Sequence, residues 1–151
     1  MVRDLLAKYG ACMNAGRRLV FADVGILVLR VSFAGFLLCA HGWDKLIHYS
    51  EKAASFPDPL HVGNAVSLAL AVFAEAFCAA GVVVGAATRL ALIPLIINMG
   101  VASFIVHAGM PFGKRELALV YFIVFVALFF TGPGRFSIDG LLFSKLSQKK
   151  S

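Results

Sequence analysis

Four apolar runs dominate the chain, and each is close to the roughly 20 residues that a helix needs to cross about 30 Å of hydrocarbon. The chain has 151 residues, of which 60% are hydrophobic, above the roughly 45–50% that is usual in soluble domains. A soluble core of this length could not bury so much apolar surface. The sequence therefore predicts an all-α integral membrane protein, a four-transmembrane-helix bundle with spans at 24–43, 63–84, 89–108 and 116–132.

The segments on either side of this membrane domain, residues 24–142, are basic. Residues 1–23 mix apolar and basic side chains, which predicts either an amphipathic helix on the membrane surface or a basic leader, and residues 143–151 form a basic tail. The formal net charge is +6. Because the basic residues lie mainly at the two ends, we expect membrane lipids as their partner and no nucleic acid.

The distribution of basic residues also predicts the orientation in the membrane. Nine of the 14 Lys and Arg residues lie before the first run, next to the link between the second and third runs, or after the fourth; four lie in the other two links. The positive-inside rule then predicts that both termini are cytoplasmic. The link from Asp44 to Val62, the only one long enough to fold over the bundle, would face outward.

Two charged residues lie inside the apolar runs, where each unpaired charge costs several kcal/mol. Arg30 begins a stripe that reaches His41 and Lys45 at intervals of three or four residues, so the stripe should face the bundle. Glu75 lies near the middle of the second run. We predict that Arg30 and Glu75 form a buried ion pair, which either only locks two helices together or lets Glu75 share or relay a proton.

The third run places polar residues on one face. Arg89 and His107 share this face, because the 18 residues between them make five full turns. Asn98 lies on the opposite side, where it is more suited to bond another helix than a ligand. His107 then reaches the depth of His41, near the outward end of the first run.

Several polar side chains therefore gather near the outward ends of the helices. Such a group at one face of a bundle could hold a membrane-embedded ligand with a polar head, although helix ends at a water interface also carry polar residues. Two histidines could ligate haem or a metal, but no third ligand follows at a typical spacing, so we expect neither. The predicted ligand-binding site consists of His41, Asp44, Lys45, His107 and Glu116.

A closing segment, Gly132-Pro133-Gly134-Arg135-Phe136-Ser137-Ile138-Asp139, resembles the GxGRxSxD ending of DoxX-type proteins. Glycine and proline should end the fourth helix here, and Arg135 should meet the negative end of that helix and the lipid phosphates. Ser137 or Asp139 can cap a short interfacial helix that follows.

Other short motifs agree with the DoxX resemblance, which covers about residues 24–142. They are Arg30 itself, an HGxxK-like stretch at 41–45, Glu75, and a GxxTR-like turn at 85–89. The resemblance groups Arg89, Arg135, Ser137 and Asp139 as a structural motif at the cytoplasmic face.

The DoxX resemblance implies a protein of the bacterial inner membrane that is linked to respiratory or thiol redox systems. Family relatives are described as subunits of thiosulfate:quinone oxidoreductase or as membrane partners in oxidative-stress complexes. We expect a small subunit that binds a quinone-like or other lipid-soluble molecule and serves an oxidoreductase, with other chains or copies of itself as partners. The alternatives are a non-catalytic anchor or assembly subunit, and a pathway for protons or small solutes through Arg30 and Glu75. The three cysteines form no CxxC pair, so we expect them to serve packing and no dithiol reaction.

Overall fold

The computed structural model describes the backbone of residues 2–148 and the side chains of residues 20–146. This part of the chain is helical and contains no strand. Helix α1 covers Val2–Leu37 and continues through a π-helical turn, Leu38–Gly42, into Trp43–Ile47. The remaining helices are α2 (Tyr49–Lys52), α3 (Asn64–Val84), α4 (Thr88–Val106), α5 (Phe112–Thr131) and α6 (Ile138–Gln148).

Three of these helices are long and apolar enough to cross a membrane: the Val20–Ile47 part of α1, and all of α3 and α4. They coincide with the first three predicted spans to within a few residues. Helix α5 carries Lys114, Arg115 and Glu116 near its start, which leaves residues 117–131, about 22 Å of helix. That the fourth run also spans the membrane stays a prediction.

The N-terminal segment joins the first span without a break, because the backbone of α1 is helical from Val2 onward. The side chains that would make residues 1–23 amphipathic lie mostly outside the described residues. The same is true of the end of the predicted basic tail, at 147–151.

The four long helices form a closed ring in which α1 packs against α3, α3 against α4, α4 against α5, and α5 against α1. In lipid, helices associate by close packing rather than by removal of apolar surface from water. The small side chains of Ala34, Ala74 and Ala79 are fully or almost fully buried and let α1 and α3 approach closely. Cys78 belongs to this core as expected, whereas Cys39 is exposed on the surface of α1.

A π-helical turn interrupts each of α1, α3 and α4, at Leu38–Gly42, Phe73–Cys78 and Ala102–Val106. One extra residue in a turn rotates the side chains that follow by about 100° relative to an unbroken α-helix. The first two turns face each other so closely that a Cβ atom at Gly42 would overlap the backbone carbonyl of Glu75. Single π-helical turns often occur at functional sites.

Candidate functional site

A cavity of about 480 Å³ lies among α1, α3, α4 and the loop between α2 and α3. Its walls are mostly apolar side chains such as Leu70, Ile97 and Val101, while polar groups are few. This size and composition are typical of sites for small molecules. Pro94 also lines the cavity and lies inside α4, where its missing N–H removes one helical hydrogen bond.

The cavity exists because α3 and α4 diverge along their length. The two helices pack against each other through Phe73–Cys78 and Ala79–Val84 of α3, which contact Thr88–Val101 of α4. The first part of α3, Asn64–Val72, makes no comparable contact with α4. The helices therefore enclose a wedge-shaped cleft, narrow at the end of the 85–89 turn, here called the basic end, and wide at the opposite loop end, which carries residues 48–63.

Glu75 forms the polar floor of the cleft, where α3 and α4 meet. Its carboxylate accepts a hydrogen bond from Asn98 Nδ2 at 2.8 Å and forms a salt bridge with the ammonium group of Lys45. The Glu75 side chain is 5% exposed and that of Lys45 is 19% exposed. Lys45 Nζ also lies 6.0 Å from the ring centroid of Phe56, within the range of a cation–π contact.

The predicted ion pair between Arg30 and Glu75 is therefore wrong. Glu75 finds its cation in Lys45, 15 residues further along α1 than Arg30. Arg30 instead donates hydrogen bonds to the backbone carbonyls of Val82, at 3.1 Å, and Phe136, at 2.6 Å. Arg30 and Glu75 therefore belong to two separate polar clusters and not to one ion pair, because Arg30 lies level with the basic end of α3 and Glu75 lies near its middle.

The loop that closes the cavity at the loop end is held in place by Asp58. Its carboxylate accepts hydrogen bonds from the amides of Val62, at 3.0 Å, and Gly63, at 2.7 Å, and from the hydroxyl of Ser67 at 2.7 Å. The bond from Ser67 is the largest influence and lowers the pKa of Asp58; burial opposes it, and the amides of Gly63 and Val62 lower the pKa further. Phe56, Pro57, Pro59 and Leu60 of this loop form one wall of the cavity.

The five residues of the predicted ligand site divide into two groups. Lys45 and His107 line the cavity; His41, Asp44 and Glu116 do not. The Asp44 carboxylate pairs instead with Lys52 and His48. His41 lies within the first π-helical turn and Asp44 just beyond it, so the stripe read from α-helical spacing changes direction there. Glu116 is exposed at the start of α5, which forms no part of the cavity.

His107 stands at the loop end of the cavity and ends the π-helical turn of α4. Its Nδ1 lies 2.6 Å from the backbone oxygen of Ala102. Because a carbonyl oxygen only accepts, Nδ1 must carry the proton, which leaves Nε2 as an acceptor in the neutral ring. In this tautomer His107, which lines the cavity, offers a hydrogen-bond acceptor.

Arg30 is the centre of the second polar cluster, at the basic end, and is 1% exposed. Its guanidinium group fills the space beside Gly85, where a Cβ atom would overlap Nη1. Gly85 has a φ of +76°, a conformation that glycine adopts without strain. The side chain thus connects α1, the end of α3 and the segment that follows α5.

Asp139 ties this last segment to the turn between α3 and α4. Its carboxylate accepts hydrogen bonds at 2.8 Å from the amides of Ala87 and Thr88 and from the hydroxyl of Thr88. Burial alone would raise the pKa of Asp139, but the bonds from Thr88 and Ala87 and the charge of Arg30 lower it below its ordinary value. Asp139 thereby caps the first turn of α4 from outside the helix.

The other predicted members of this motif also lie at the basic end. The Ser137 hydroxyl donates to the carbonyl of Gly134 at 2.6 Å and accepts from the amide of Gly140 at 2.9 Å. Arg89 lies beside Gly132, the residue that follows α5. The exposed Arg135 side chain points toward Asp23, with Nε 4.0 Å from its carboxylate. It is therefore Arg89, and not Arg135, that meets the negative end of α5.

Some residues of the cavity were not predicted from the sequence. Asn98 does bond another helix, as expected, but it does so at the cavity floor. Ser67, Pro94 and the loop wall carried no motif, although the sequence singles out the first link as the only one long enough to fold over the bundle. Among the described residues, no group of three or more His, Cys, Asp or Glu side chains could hold a metal ion.

Apolar helices of membrane-spanning length define the chain as a small helical membrane protein, and its bundle contains a mainly apolar cavity with a charged floor. The chain belongs to the DoxX family, whose profile matches residues 25–108, more than half of the chain. The matched region includes Arg30, Lys45 and Glu75, and it ends before the motif at 132–139. No curated protein and no solved structure gives a significant match.

Proposed function

We propose that this chain binds a lipid-soluble molecule of the quinone class in the cavity and serves as the membrane subunit of a redox system in the bacterial inner membrane. The electron-transfer chemistry belongs to other chains. The observation that carries this proposal is the cleft between α3 and α4, which combines apolar walls with a floor made by Lys45, Glu75 and Asn98.

The donors at the floor suit the carbonyl oxygens of a quinone. A lysine ammonium has three hydrogens and a primary amide has two, and Lys45 and Asn98 each use one on Glu75. Donors therefore remain for a carbonyl oxygen at the floor. His107, at the other end of the cavity, adds an acceptor. The apolar walls between these ends suit a flat ring.

The orientation that we propose places the basic end in the cytoplasm and the loop end outside, with both termini cytoplasmic. The support is the division of Lys and Arg residues between the two sides. In this orientation the cavity opens in the outer half of the membrane.

Identification of bound molecules and partner chains after purification from native membranes would test the proposal. Quinone and a redox enzyme in the purified material support it.

The binding of decylubiquinone to the purified protein in nanodiscs provides a second measurement. Ala102→Leu, which fills the cavity, should weaken binding by about tenfold or more. The matched control Ala69→Leu lies on an exposed part of α3 outside the cavity and should bind as the parent does. A folded parent that binds no quinone would remove the proposal.

The alternative is a non-catalytic anchor or assembly subunit. It is favoured by the cluster of Arg30 and Asp139, whose hydrogen bonds hold chain segments together away from the cavity described above. An empty homo-oligomer, purified without partner or small molecule, would support it. The pathway for protons or solutes has lost its basis, because Arg30 and Glu75 belong to separate clusters.

A further inference from the structure

We infer that the occupant of the cavity is a lipid with a polar head and a long apolar tail, which reaches the site sideways from the membrane through the cleft between α3 and α4. The inference rests on the proposed function and adds two features: the route by which the ligand enters the cavity, and the apolar tail of the ligand.

The mouth of the cavity lies on the lipid-facing surface of α3 and α4. Leu70 and Phe73 of α3 and Ile97 of α4 line the cavity and are also about half exposed. On each helix they continue a stripe of exposed apolar side chains that passes beyond the cavity, to Phe77 on α3 and Ile93 on α4. Because these stripes face hydrocarbon in a membrane, the gap between them opens into lipid and not into water.

Ordered structure bounds the cavity at its two ends. At the loop end, Phe56 and Leu60 belong to a wall that Asp58 fastens to the start of α3. At the basic end, α3 and α4 are in contact, and the hydrogen bonds of Arg30 and Asp139 hold the segment after α5 across that end. The gap between α3 and α4 is therefore the natural route for a molecule dissolved in the bilayer.

The depth of the floor indicates why the ligand needs a tail. Glu75 lies 11 residues after Asn64, about 16 Å along α3 from its loop end. A head at this floor is far from the water interface, so a molecule held there arrives through hydrocarbon. The cavity of about 480 Å³ suits a drug-sized group. A tail of tens of carbon atoms does not fit inside it and must leave through the mouth between Leu70 and Ile97.

The test compares two probes that share a head: decylubiquinone and dimethoxy-methyl-benzoquinone, which has no tail. Both are titrated against the parent and two variants in nanodiscs. Ile97→Trp narrows the mouth. Ile93→Trp makes the same change one turn away on the lipid-facing stripe, outside the cavity. Because each ligand is compared across variants, its partition into lipid cancels.

We expect Ile97→Trp to weaken decylubiquinone binding by about tenfold and to weaken the binding of the tailless quinone much less. Ile93→Trp should change neither. Unchanged decylubiquinone binding in Ile97→Trp, or equal weakening of both ligands, would overturn the inference while the proposed function stands. If the parent binds neither ligand, both fall.

A second measurement does not depend on a substitution. Decylubiquinone that carries a photoreactive azide at the end of its tail is bound to the parent chain and irradiated, and the labelled peptides are identified by mass spectrometry. Labels near Leu70, Phe73 or Ile97 support the lateral mouth. Labels confined to residues 56–60 would place the tail at the water side and overturn the inference.

Discussion

The salt bridge between Lys45 and Glu75 leads to the most direct test of the site. Lys45→Met keeps an unbranched side chain and removes its charge, so the Glu75 carboxylate, 5% exposed, would retain only the hydrogen bond from Asn98. Two unit charges at about 4 Å attract by about 4 kcal/mol at an effective dielectric constant near 20. Loss of one partner of a buried pair typically costs about 3–5 kcal/mol. We expect a decrease of this size in the free energy of unfolding.

Unfolding is followed by circular dichroism during titration of mixed micelles with sodium dodecyl sulfate at neutral pH. Lys52→Met is the matched control, because Lys52 also pairs with a carboxylate, that of Asp44, but both side chains are substantially exposed. Solvent-exposed pairs contribute little, so this variant should unfold nearly as the parent does.

A double variant separates the charge effect from the loss of the lysine side chain. Lys45→Met combined with Glu75→Gln removes both charges and leaves an amide that can still bond Asn98, so it should recover most of the lost stability. The reasoning is refuted if the double variant is no more stable than Lys45→Met, or if Lys52→Met is as unstable as Lys45→Met.

Three further predictions concern packing, pH and orientation. Gly42→Ala should destabilise the protein by about 1–3 kcal/mol through overlap with the facing helix, whereas Gly35→Ala, which meets open space, should not; thermal unfolding in micelles measures both. The lowered pKa of Asp139 contributes stability that is complete above the unfolded value near 3.9 and is lost as the pH falls through the lower folded value. Melting temperatures of Asp139→Asn should therefore depend less on pH below about 4 than those of the parent, and equal dependence would contradict this assignment. With the native cysteines replaced, Ser55→Cys should react with an impermeant reagent from outside the cell and Gln148→Cys should not; the reverse pattern would invert the orientation.

The helical architecture could be predicted from the sequence because it depends on the local run of apolar residues. Lipid requires helices to satisfy their own backbone groups over a fixed thickness, so runs of about 20 apolar residues translate directly into helices. Three predicted spans agree with helices of that length, including α3 and α4. The fourth predicted span lacks this agreement because charged residues occupy the start of α5. Length and composition alone therefore do not decide whether α5 crosses the membrane.

The partners of the buried charges were not accessible, for two physical reasons. An estimate of depth from the span ends assumes that α1 and α3 end at one level, whereas Arg30 lies beside Val82 at the basic end of α3. Lys45, near the end of α1, therefore reaches Glu75 in the middle of α3. The π-helical turns also rotate the helix faces that follow them, and the apolar and polar patterns of the sequence do not predict where such turns occur. Depth estimates from span ends fail when a helix continues beyond its neighbour, as α1 does toward its N-terminus.

The two polar clusters differ in what they allow the bundle to do. At the basic end, Arg30 donates to backbone carbonyls and Asp139 accepts from backbone amides. These hydrogen bonds cannot be replaced by others unless the backbone itself moves. At the cavity floor, the bonds of Glu75 with Lys45 and Asn98 join side chains of three helices. A ligand oxygen can accept one of the remaining hydrogens of Lys45 or Asn98 after a change of side-chain rotamer alone. Under the proposed function, ligand binding would therefore change the side-chain arrangement at the cavity floor while the basic end stays fixed.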